Sequence, residues 1–376
     1  MDWLQQRAGQ RRDPAESAPP NAALDIVRSS YGTVDVLRRA QGNVVAAFGL
    51  NPSECAYEVI ASGPYWRLRD YGNPGQSHSL LIVAAPIKRP YIWDLSPSAS
   101  AIRYCLKEGL HIHLLEWLFD FPSIGNNGLD ECVLAISDCV GKITVNEYGT
   151  KPFLIGHSLG GTLAAIYSAW APSTVRGLVL LGAPLCFEPK QSRFRDVLVS
   201  LVPPTLPAAE PFPGSLLSQM SALASPRTFI WSRLMDAALS FTDYQAMEIH
   251  ARVERWALDE VALPGKLVHD IIQWLYREDR FFLGALTIRG TPIGPSTLSA
   301  PTLAIVNTAD EVAPLASVKP FTDAMPANST RLIDYPGEVG VCLQHLGILV
   351  GRMARTKIWP NIIAWLNLQT CTGNGA

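Results

Sequence analysis

The chain has 376 residues, of which 48% are hydrophobic and 17% are charged, and its formal net charge is −2. This apolar share excludes an intrinsically disordered chain, and the near-neutral charge leaves no basic field with which to gather nucleic acid. Seven cysteines, with no CxxC pair, disfavour a complete disulfide framework or a structural zinc site and favour a reducing, cytoplasmic environment.

The N-terminal residues 1–23 carry three arginines and then a stretch rich in proline, alanine and serine. This composition predicts a disordered tail, with an amphipathic contact to a membrane or a partner as the alternative. No apolar secretory signal is expected. The charge-free stretch 152–175 is long enough to span a bilayer, but its glycines and Pro172 favour a strand, a turn and a buried helix. We therefore expect no integral membrane segment.

Hydrophobic periodicity predicts alternating strands and helices in the first half of the chain. In order these are a helix over 23–49, strands over 65–71 and 80–85, a helix over 94–108, a strand over 111–117, a helix over 129–144, a strand over 153–155, a helix over 160–171 and a strand over 178–181. The alternation stops between 187 and 298, where the chain is mainly helical. It returns with strands over 302–306 and 330–333 and a helix over 359–368.

This alternation predicts a mostly parallel sheet with helices on both faces. The simplest organisation is one α/β core in two parts, residues 24–186 and 298–376. A largely helical insertion over residues 187–297 separates the two parts.

The strongest local motif is Gly156-His157-Ser158-Leu159-Gly160, which matches G-x-S-x-G. In such a motif a sharp turn between strand and helix exposes the serine above the sheet, and the glycines let neighbouring backbone pass closely. An apolar strand is predicted before this motif and an alanine-rich helix after it. We therefore predict that Ser158 is a nucleophile.

A serine nucleophile requires a base and an acid that orients the base, and in this arrangement the chain order is serine, acid, histidine. His345 follows the last predicted strand and is the expected base. Asp310 follows the strand 302–306 and is the expected acid, with Glu311, Asp323 and Asp334 as alternatives. The expected oxyanion donors are the backbone N–H groups of Leu159 and of Ile87, because Pro86 has no N–H.

Several segments, taken together, resemble the polyhydroxyalkanoate synthase family. They are residues 85–87 (API), 91–97 (YIWDLSP), 156–163 (GHSLGGTL), 213–217 (PGSLL), 256–259 (WALD), 263–265 (LPG) with His269, 286–290 (LTIRG) and 300–302 (APT). The resemblance covers residues 65–368. It implies an α/β-hydrolase fold whose helical insertion forms a cap over the site, and it places the family's catalytic aspartate and histidine on Asp310 and His345. It also implies that the chain could dimerise through the cap.

Three features depart from that family. The family's nucleophile is a cysteine, whereas this chain has Ser158, and none of its seven cysteines stands there. A histidine usually follows the family's aspartate, where this chain has Glu311. The long N-terminal region of the larger synthases is absent, so in size the chain is closer to the short synthase subunits that act with a second protein.

The insertion is rich in aromatic residues, which suits a fatty or hydroxy-fatty acyl chain, although most of them are expected to pack the core of the insertion itself. Trp231, Trp256 and also His157 are the candidate substrate-binding residues. His111 and His113 alternate on a strand, but the sequence offers no third ligand, so no metal is predicted. No cofactor is predicted either.

Three functions are compatible with these residues. The first is a serine acyltransferase or thioesterase that takes a fatty or 3-hydroxyacyl group from coenzyme A or an acyl-carrier protein. The second is a carboxylic ester hydrolase or polyester depolymerase that uses the same triad. The third is a non-catalytic subunit with a vestigial site, which the complete set of Ser158, Asp310 and His345 disfavours.

Overall fold

The computed structural model describes residues 20–372, apart from residues 73–77, 120–126, 205–207, 209, 327–329 and 339. Most of the predicted tail lies outside the described residues. Helix α1 (Pro20–Val45) confirms most of the predicted helix over 23–49, and a kinked turn (Ala46–Leu50), in which Gly49 has a φ of 89°, follows it. Because α1 begins at Pro20, residues 20–23 are helical and are not part of a tail.

Strands and helices alternate along most of the described chain. The strands are β1 (Glu58–Ser62), β2 (Trp66–Asp70), β3 (Ser79–Val83), β4 (Asp94–Ser96), β5 (Ala99–Ser100), β6 (His111–Trp117), β7 (Phe153–His157), β8 (Gly177–Leu181), β9 (Leu286–Ile288), β10 (Thr291–Ile293), β11 (Thr302–Asn307) and β12 (Thr330–Tyr335). The further helices are α2 (Ala101–Lys107), α3 (Leu129–Asn146), α4 (Leu159–Trp170), α5 (Arg193–Leu201), α6 (Gly214–Ala224), α7 (Ser232–Ser240), α8 (Tyr244–Ala257), α9 (Gly265–Asp270), α10 (Lys319–Asp323), α11 (Gly347–Val350) and α12 (Trp359–Thr372). Within the described ranges, no helix has both the length and the apolar character that crossing a bilayer requires.

Eight strands form one sheet in the order β1-β2-β6-β3-β7-β8-β11-β12. In this order, each neighbouring pair of strands from β6 to β12 is parallel. Strand β2 pairs antiparallel with both β1 and β6. The predicted mostly parallel sheet is therefore confirmed. Parallel strands end at a common edge, so the residues after β7 and β11 meet at one side of the molecule.

The central strands are buried on both faces because helices cover both sides of the sheet. Leu81 and Val83 of β3 belong to one apolar layer with α3 and α4. Leu80 and Ile82 belong to the opposite layer with α2 and α12. This explains why the central strands are continuous apolar runs and not alternating ones.

Residues 187–297, called the inserted segment below, leave the sheet between β8 and β11. These two strands are neighbours, with Leu178 opposite Thr302, although more than a hundred residues separate them in sequence. Helices α5 to α9 and the short hairpin β9–β10 occupy the interval. The inserted segment therefore begins and ends at the same point of the sheet.

The predicted helix over 94–108 is wrong in its first half, since α2 begins at Ala101. The hairpin β4–β5 replaces the earlier part. Asp94 is fully buried there and accepts hydrogen bonds from the backbone of Cys55 and from Nε of Arg103. The side chain of Ser100 then caps α2 by accepting a 2.8 Å hydrogen bond from the Arg103 N–H. A distant partner thus overrides the local helical pattern.

The buried carboxyl of Asp279 is expected to make the stability of the fold depend on pH. Burial raises the pKa of this carboxyl to about 6, and Glu188 adds to the shift while the Phe187 N–H and Arg195 oppose it. A raised acid pKa means that the folded state holds the proton more tightly than the unfolded state. The free energy of unfolding should therefore fall as pH rises from 3.8, the ordinary pKa of an aspartate, to about 6. The loss persists at higher pH but grows no further.

We expect Asp279→Asn to raise Tm at about pH 8 and to change Tm much less at about pH 4.5, because asparagine carries no charge at either pH. Asparagine also tolerates the positive φ of 47° at this position. Thermal unfolding followed by circular dichroism measures both values, with the exposed Asp323→Asn as the control. An equal Tm for wild type and Asp279→Asn at the higher pH would show that the buried Asp279 carboxylate does not destabilise the fold.

Candidate active site

Ser158 lies in the sharp turn between β7 and α4, at the carboxyl edge of the sheet. Its φ of 54° and ψ of −132° form a conformation that is strained for a residue with a side chain. The Ser158 N–H donates a 3.0 Å hydrogen bond to the carbonyl of Leu181, the last residue of β8. The sheet thus holds the strained turn in place, as the motif predicts.

Glycines flank Ser158 because the backbone there passes too close to neighbours for a side chain. A Cβ on Gly160 would lie 2.3 Å from the carbonyl oxygen of Val83, and a Cβ on Gly156 would lie 2.5 Å from the nitrogen of Gly161. Real Cβ atoms do not make such contacts. The G-x-S-x-G spacing is therefore a packing requirement of this turn against β3 and α4.

His345 and Asp310 form a buried pair beside this turn. Nδ1 of His345 lies 2.5 Å from Oδ2 of Asp310, and Oδ1 of Asp310 accepts a 2.8 Å hydrogen bond from the Val312 N–H. A carboxylate only accepts, so Nδ1 carries the proton and Nε2 is free to act as a base. Among the described residues Nε2 has no hydrogen-bond partner, and Ser158 and His345 line the same cavity. The structure thus brings the three predicted residues together, and their roles as nucleophile, base and orienting acid stay predictions.

The alternative acids lie elsewhere. The Glu311 carboxylate accepts hydrogen bonds from the side chains of Ser225 and Thr228, both in the inserted segment. Asp323 is exposed on α10, and Asp334 is exposed on β12. The geometry therefore favours Asp310, and Glu311 joins the loop after β11 to the inserted segment.

His157 lies beneath the base. It is buried, and Nε2 of its ring donates a 2.7 Å hydrogen bond to the carbonyl oxygen of His345. Burial and the neighbouring His345 lower the pKa of His157 to about 3, so its ring is neutral near pH 7 and acts as a fixed donor. His157 is not among the residues that line the cavity. The contact suits positioning of the base better than the predicted binding of substrate.

Asn307, which the sequence argument did not single out, joins the two loops of the pair. It is fully buried at the end of β11, and its Nδ2 donates a 2.7 Å hydrogen bond to the carbonyl of Gln344. Its Oδ1 accepts from the Ala309 N–H at 2.9 Å, and its own carbonyl accepts from the Asp310 N–H at 3.0 Å. A polar residue that ends an apolar buried strand just before the acid is the signal that could have revealed it.

We expect Asn307→Asp to lower kcat by about 10- to 100-fold, because misplacing a catalytic group by about 1 Å has effects of that order. The aspartate keeps the shape but loses the donor, and it sets a carboxylate oxygen against the Gln344 carbonyl. KM should change much less. Steady-state kinetics on an aryl ester measure both values, with the exposed Asn361→Asp as the control. A wild-type kcat in Asn307→Asp would show that this link does not hold the base.

The cavity beside Ser158 has a volume of about 230 Å³ and mainly apolar walls. Ile87, Leu159 and Trp256 line it, as expected of oxyanion and substrate-binding residues, although the roles themselves stay predictions. Trp256 is anchored by a 2.7 Å hydrogen bond from Nε1 to the carbonyl of Arg89. Trp231 is 63% exposed and does not line the cavity, so the structure does not bring it to the site.

Most of the cavity wall comes from apolar residues of the inserted segment that the sequence analysis did not name individually. The inserted segment contributes Phe187, Phe194, Leu198, Phe212, Leu217, Met220, Phe229, Leu263, Ile271, Ile272 and Tyr276. The helical character of this region does not by itself show which of its apolar residues face a cavity.

A buried charge cluster borders the cavity. Nζ of Lys88 donates to Oε2 of Glu260 and to the carbonyl of Ala257, both at 2.7 Å, and Nε of Arg38 lies 3.0 Å from Oε1 of Glu260. Glu260 is fully buried, so its two cations compensate a charge that burial alone would strongly disfavour. The cluster joins the Ile87 loop, α1 and the inserted segment. Sequence periodicity assigned α1 to the core and missed the contribution of Arg38.

The described cysteines offer no alternative nucleophile at this cavity. None of them lines it. The nearest in sequence to the base is Cys342, whose thiol lies 3.2 Å from the carboxylate of Glu254. Burial raises the pKa of the Cys342 thiol well above its usual value, which disfavours a thiolate. Among the described cavity-lining residues no cysteine competes with Ser158, whose role as the nucleophile stays a prediction.

A protein-family model described as "alpha/beta hydrolase fold" matches residues 103–338. Two curated relatives are named poly(3-hydroxyalkanoate) polymerase subunit PhaC. The protein from Haloferax mediterranei is 25% identical, over 94% of this chain and 73% of its own length. The one from Allochromatium vinosum is 24% identical, over 85% of this chain and 89% of its own length.

Solved structures show the same fold. A putative lipase from Sulfolobus solfataricus superposes with a TM-score of 0.52 and 16% identity, over 84% of this chain and 99% of its own. A soluble variant of monoglyceride lipase from Saccharomyces cerevisiae superposes with a TM-score of 0.52 and 12% identity, over 85% of this chain and 96% of its own. At these identities the similarity extends to the fold alone.

Proposed function

Because the chain belongs to the alpha/beta hydrolase fold family and is similar to polyhydroxyalkanoate synthases, we propose that it is a serine-dependent acyltransferase or thioesterase. Its substrate in this proposal is a fatty or 3-hydroxyacyl thioester of coenzyme A or of an acyl-carrier protein in the cytoplasm. The observation that carries the proposal is the strained Ser158, which shares an apolar cavity with the free Nε2 of the His345–Asp310 pair.

The first half-reaction forms an acyl ester on Ser158. Oγ attacks the thioester carbonyl carbon while Nε2 of His345 takes the hydroxyl proton. Charge develops on the carbonyl oxygen, towards which we propose that the N–H groups of Leu159 and Ile87 donate. The carbon–sulfur bond then breaks, and His345 returns the proton to the leaving thiolate to give the free thiol.

The second half-reaction releases the acyl group. His345 takes a proton from water or from an alcohol, whose oxygen attacks the Ser158 ester. The bond to Oγ breaks, and the proton passes to Ser158. Water gives a free acid and an alcohol gives an ester, so one set of residues supports both hydrolysis and transfer.

The inserted segment is proposed to act as a cap that binds the acyl chain. Its apolar and aromatic side chains form most of the cavity wall, and Trp256 is fixed there by its hydrogen bond. Burial of a hydrocarbon chain against such walls stabilises the complex roughly in proportion to the apolar area removed from water. The contacts of Glu311 with Ser225 and Thr228 hold this cap beside the acid.

The serine favours one further candidate, a carboxylic ester hydrolase or polyester depolymerase. A serine ester is lower in energy than a thioester and its oxygen is a poorer leaving group. Repeated transfer of a growing chain, which a cysteine thioester supports, is therefore disfavoured here. Single transfer or hydrolysis is what Ser158 supports best.

The test is to incubate the protein separately with a 3-hydroxyacyl-coenzyme A and with a simple aryl ester. Thiol or phenol release, products and intact protein mass are followed together. Faster turnover of the thioester, with an acyl adduct on the protein, supports the first proposal. Turnover of the ester alone favours the hydrolase. No adduct and no turnover would exclude both, and a polymer product would contradict the argument from the serine ester.

A further inference from the structure

Two histidines and an aspartate meet at the amino end of β6, away from the candidate active site. His111 and His113 are two residues apart on this strand, so their side chains share one face of the sheet. Asp70 of β2 lies directly opposite His113 in the antiparallel register. The structure therefore supplies the third polar group that the sequence of β6 alone does not show.

The distances suit ligands around one ion. Nε2 of His111 lies 2.8 Å from Oδ1 of Asp70, and Nε2 of His113 lies 3.7 Å from Oδ2 of Asp70. One ligand atom from each of the three residues lies within 4.8 Å of the others. In a tetrahedral site with zinc–nitrogen and zinc–oxygen bonds of about 2.0–2.1 Å, adjacent ligand atoms are roughly 3.3 Å apart. The two histidine–aspartate distances each differ from that value by about half an ångström.

His113 is the member whose environment is otherwise unexplained. It is 1% exposed, and among the described residues neither ring nitrogen has a hydrogen-bond partner. Buried polar groups are normally satisfied, and leaving one without a partner is costly. A metal ion bound at Nε2 would supply such a partner at the point where the ring faces Asp70.

The other two residues are already held by outer contacts typical of a metal site. Nδ1 of His111 lies 2.7 Å from the carboxylate of Glu147, which follows α3. Oδ1 of Asp70 accepts a 2.7 Å hydrogen bond from the Gly72 N–H. A metal-bound histidine usually donates its second ring N–H to a carboxylate, which fixes the ring and strengthens the ligand.

A second cluster of similar composition lacks these features. His250, Glu254 and Cys342 also lie within ligand distance of one another. The guanidinium of Arg233, however, donates to both carboxylate oxygens of Glu254, through Nε at 2.7 Å and through Nη2. A cation already occupies that position, so this cluster serves as the control.

We propose that Asp70, His111 and His113 form a binding site for Zn²⁺ or a similar first-row divalent cation, with Glu147 as the outer partner of His111. Two imidazoles and a carboxylate are a ligand set that such ions prefer. The two carboxylates balance the charge of the ion, and the partial exposure of His111 and Asp70 leaves the fourth position to water.

A metal ion at this site would stabilise the fold and would take no part in catalysis. It joins β2 to β6 at the amino end of the parallel strands, whereas Ser158 follows the carboxyl end of β7. A five-residue strand is about 16 Å long, so the ion would lie at least about that far from the catalytic groups. Metal removal should lower Tm and leave kcat on an aryl ester unchanged.

The experiment begins with full-length protein treated with a chelator and desalted. Zn²⁺ is titrated in by calorimetry, and Co²⁺ is added separately to record its visible absorption. We expect about one Zn²⁺ per chain, a rise in Tm and the absorption of a tetrahedral Co²⁺ site. Asp70→Asn and His111→Gln, which keep size and polarity, should abolish all three, and His250→Gln should abolish none.

Glu147→Gln gives a second, milder test, since this residue would not touch the ion. Loss of an outer-shell partner typically weakens metal affinity by about 10- to 100-fold, so binding should weaken by that factor and not vanish. A chain that binds no Zn²⁺, or whose binding survives in Asp70→Asn but is lost in His250→Gln, would overturn the proposal. Circular dichroism and ester turnover verify that each variant is folded.

Discussion

Replacing Ser158 by alanine is expected to lower kcat/KM on ester and thioester substrates by roughly 10⁴- to 10⁶-fold, as loss of a triad nucleophile does in enzymes of this chemistry. The alanine removes Oγ, the only atom on which the acyl group can form in the proposed mechanism. The acyl adduct seen by intact mass should disappear with the activity. Steady-state kinetics and mass spectrometry on the same preparation measure both effects.

Ser221→Ala is the matched control, because Ser221 lines the same cavity from α6. It removes the same hydroxyl at a comparable position and should leave both turnover and adduct close to wild type. The fold is not expected to fail in Ser158→Ala, since a smaller side chain fits the turn. Retention of the adduct in Ser158→Ala would show that another residue carries the acyl group.

The buried strands could be predicted from sequence because each is a continuous run of apolar residues that is visible without knowledge of distant contacts. β6 has the predicted bounds, and β3, β7 and β8 agree with prediction to within about two residues, because strands covered on both faces are continuous apolar runs. The helix over 94–108 was mispredicted where Asp94 accepts hydrogen bonds from Cys55 and Arg103. No local pattern contains that information.

The candidate site could be predicted from sequence where the order of strands and loops along the chain determines its position. Ser158, Asp310 and His345 each follow a strand of the parallel sheet, so chain order alone brings them to one edge. Asn307 was missed because its role depends on a carbonyl 37 residues away. Asp70 was missed because only the register of β2 against β6 places it beside His113.

The inserted segment shows the limit of periodicity most clearly. Trp231 and Trp256 are the same residue type in the same helical region, yet Trp231 is 63% exposed and Trp256 is 8% exposed. Trp256 has a backbone carbonyl to receive its indole N–H, and that contact turns it into the cavity. Which face of a helix meets a cavity is decided by tertiary packing, which a helical repeat does not encode.

Asp310→Asn is expected to lower kcat by roughly 10⁴-fold with little change in KM, the size of effect seen when a triad acid becomes an amide. The Val312 N–H donates to Oδ1, so the amide oxygen of the asparagine should stay at that position. The amide nitrogen then faces Nδ1 of His345 and can only donate to it. Nδ1 must therefore be unprotonated, the proton moves to Nε2, and the base can no longer accept a proton from Ser158.

The neighbouring Glu311→Gln is the matched control, since it makes the same chemical change one residue away. Glu311 contacts Ser225 and Thr228 and not His345, and a glutamine oxygen can still accept those hydrogen bonds. We expect kcat for Glu311→Gln within a few-fold of wild type. If Glu311→Gln lost activity as Asp310→Asn is expected to, or if Asp310→Asn kept it, the acid would be assigned to the wrong residue. The pair of variants thus separates an acid that orients the base from one that only holds the cap.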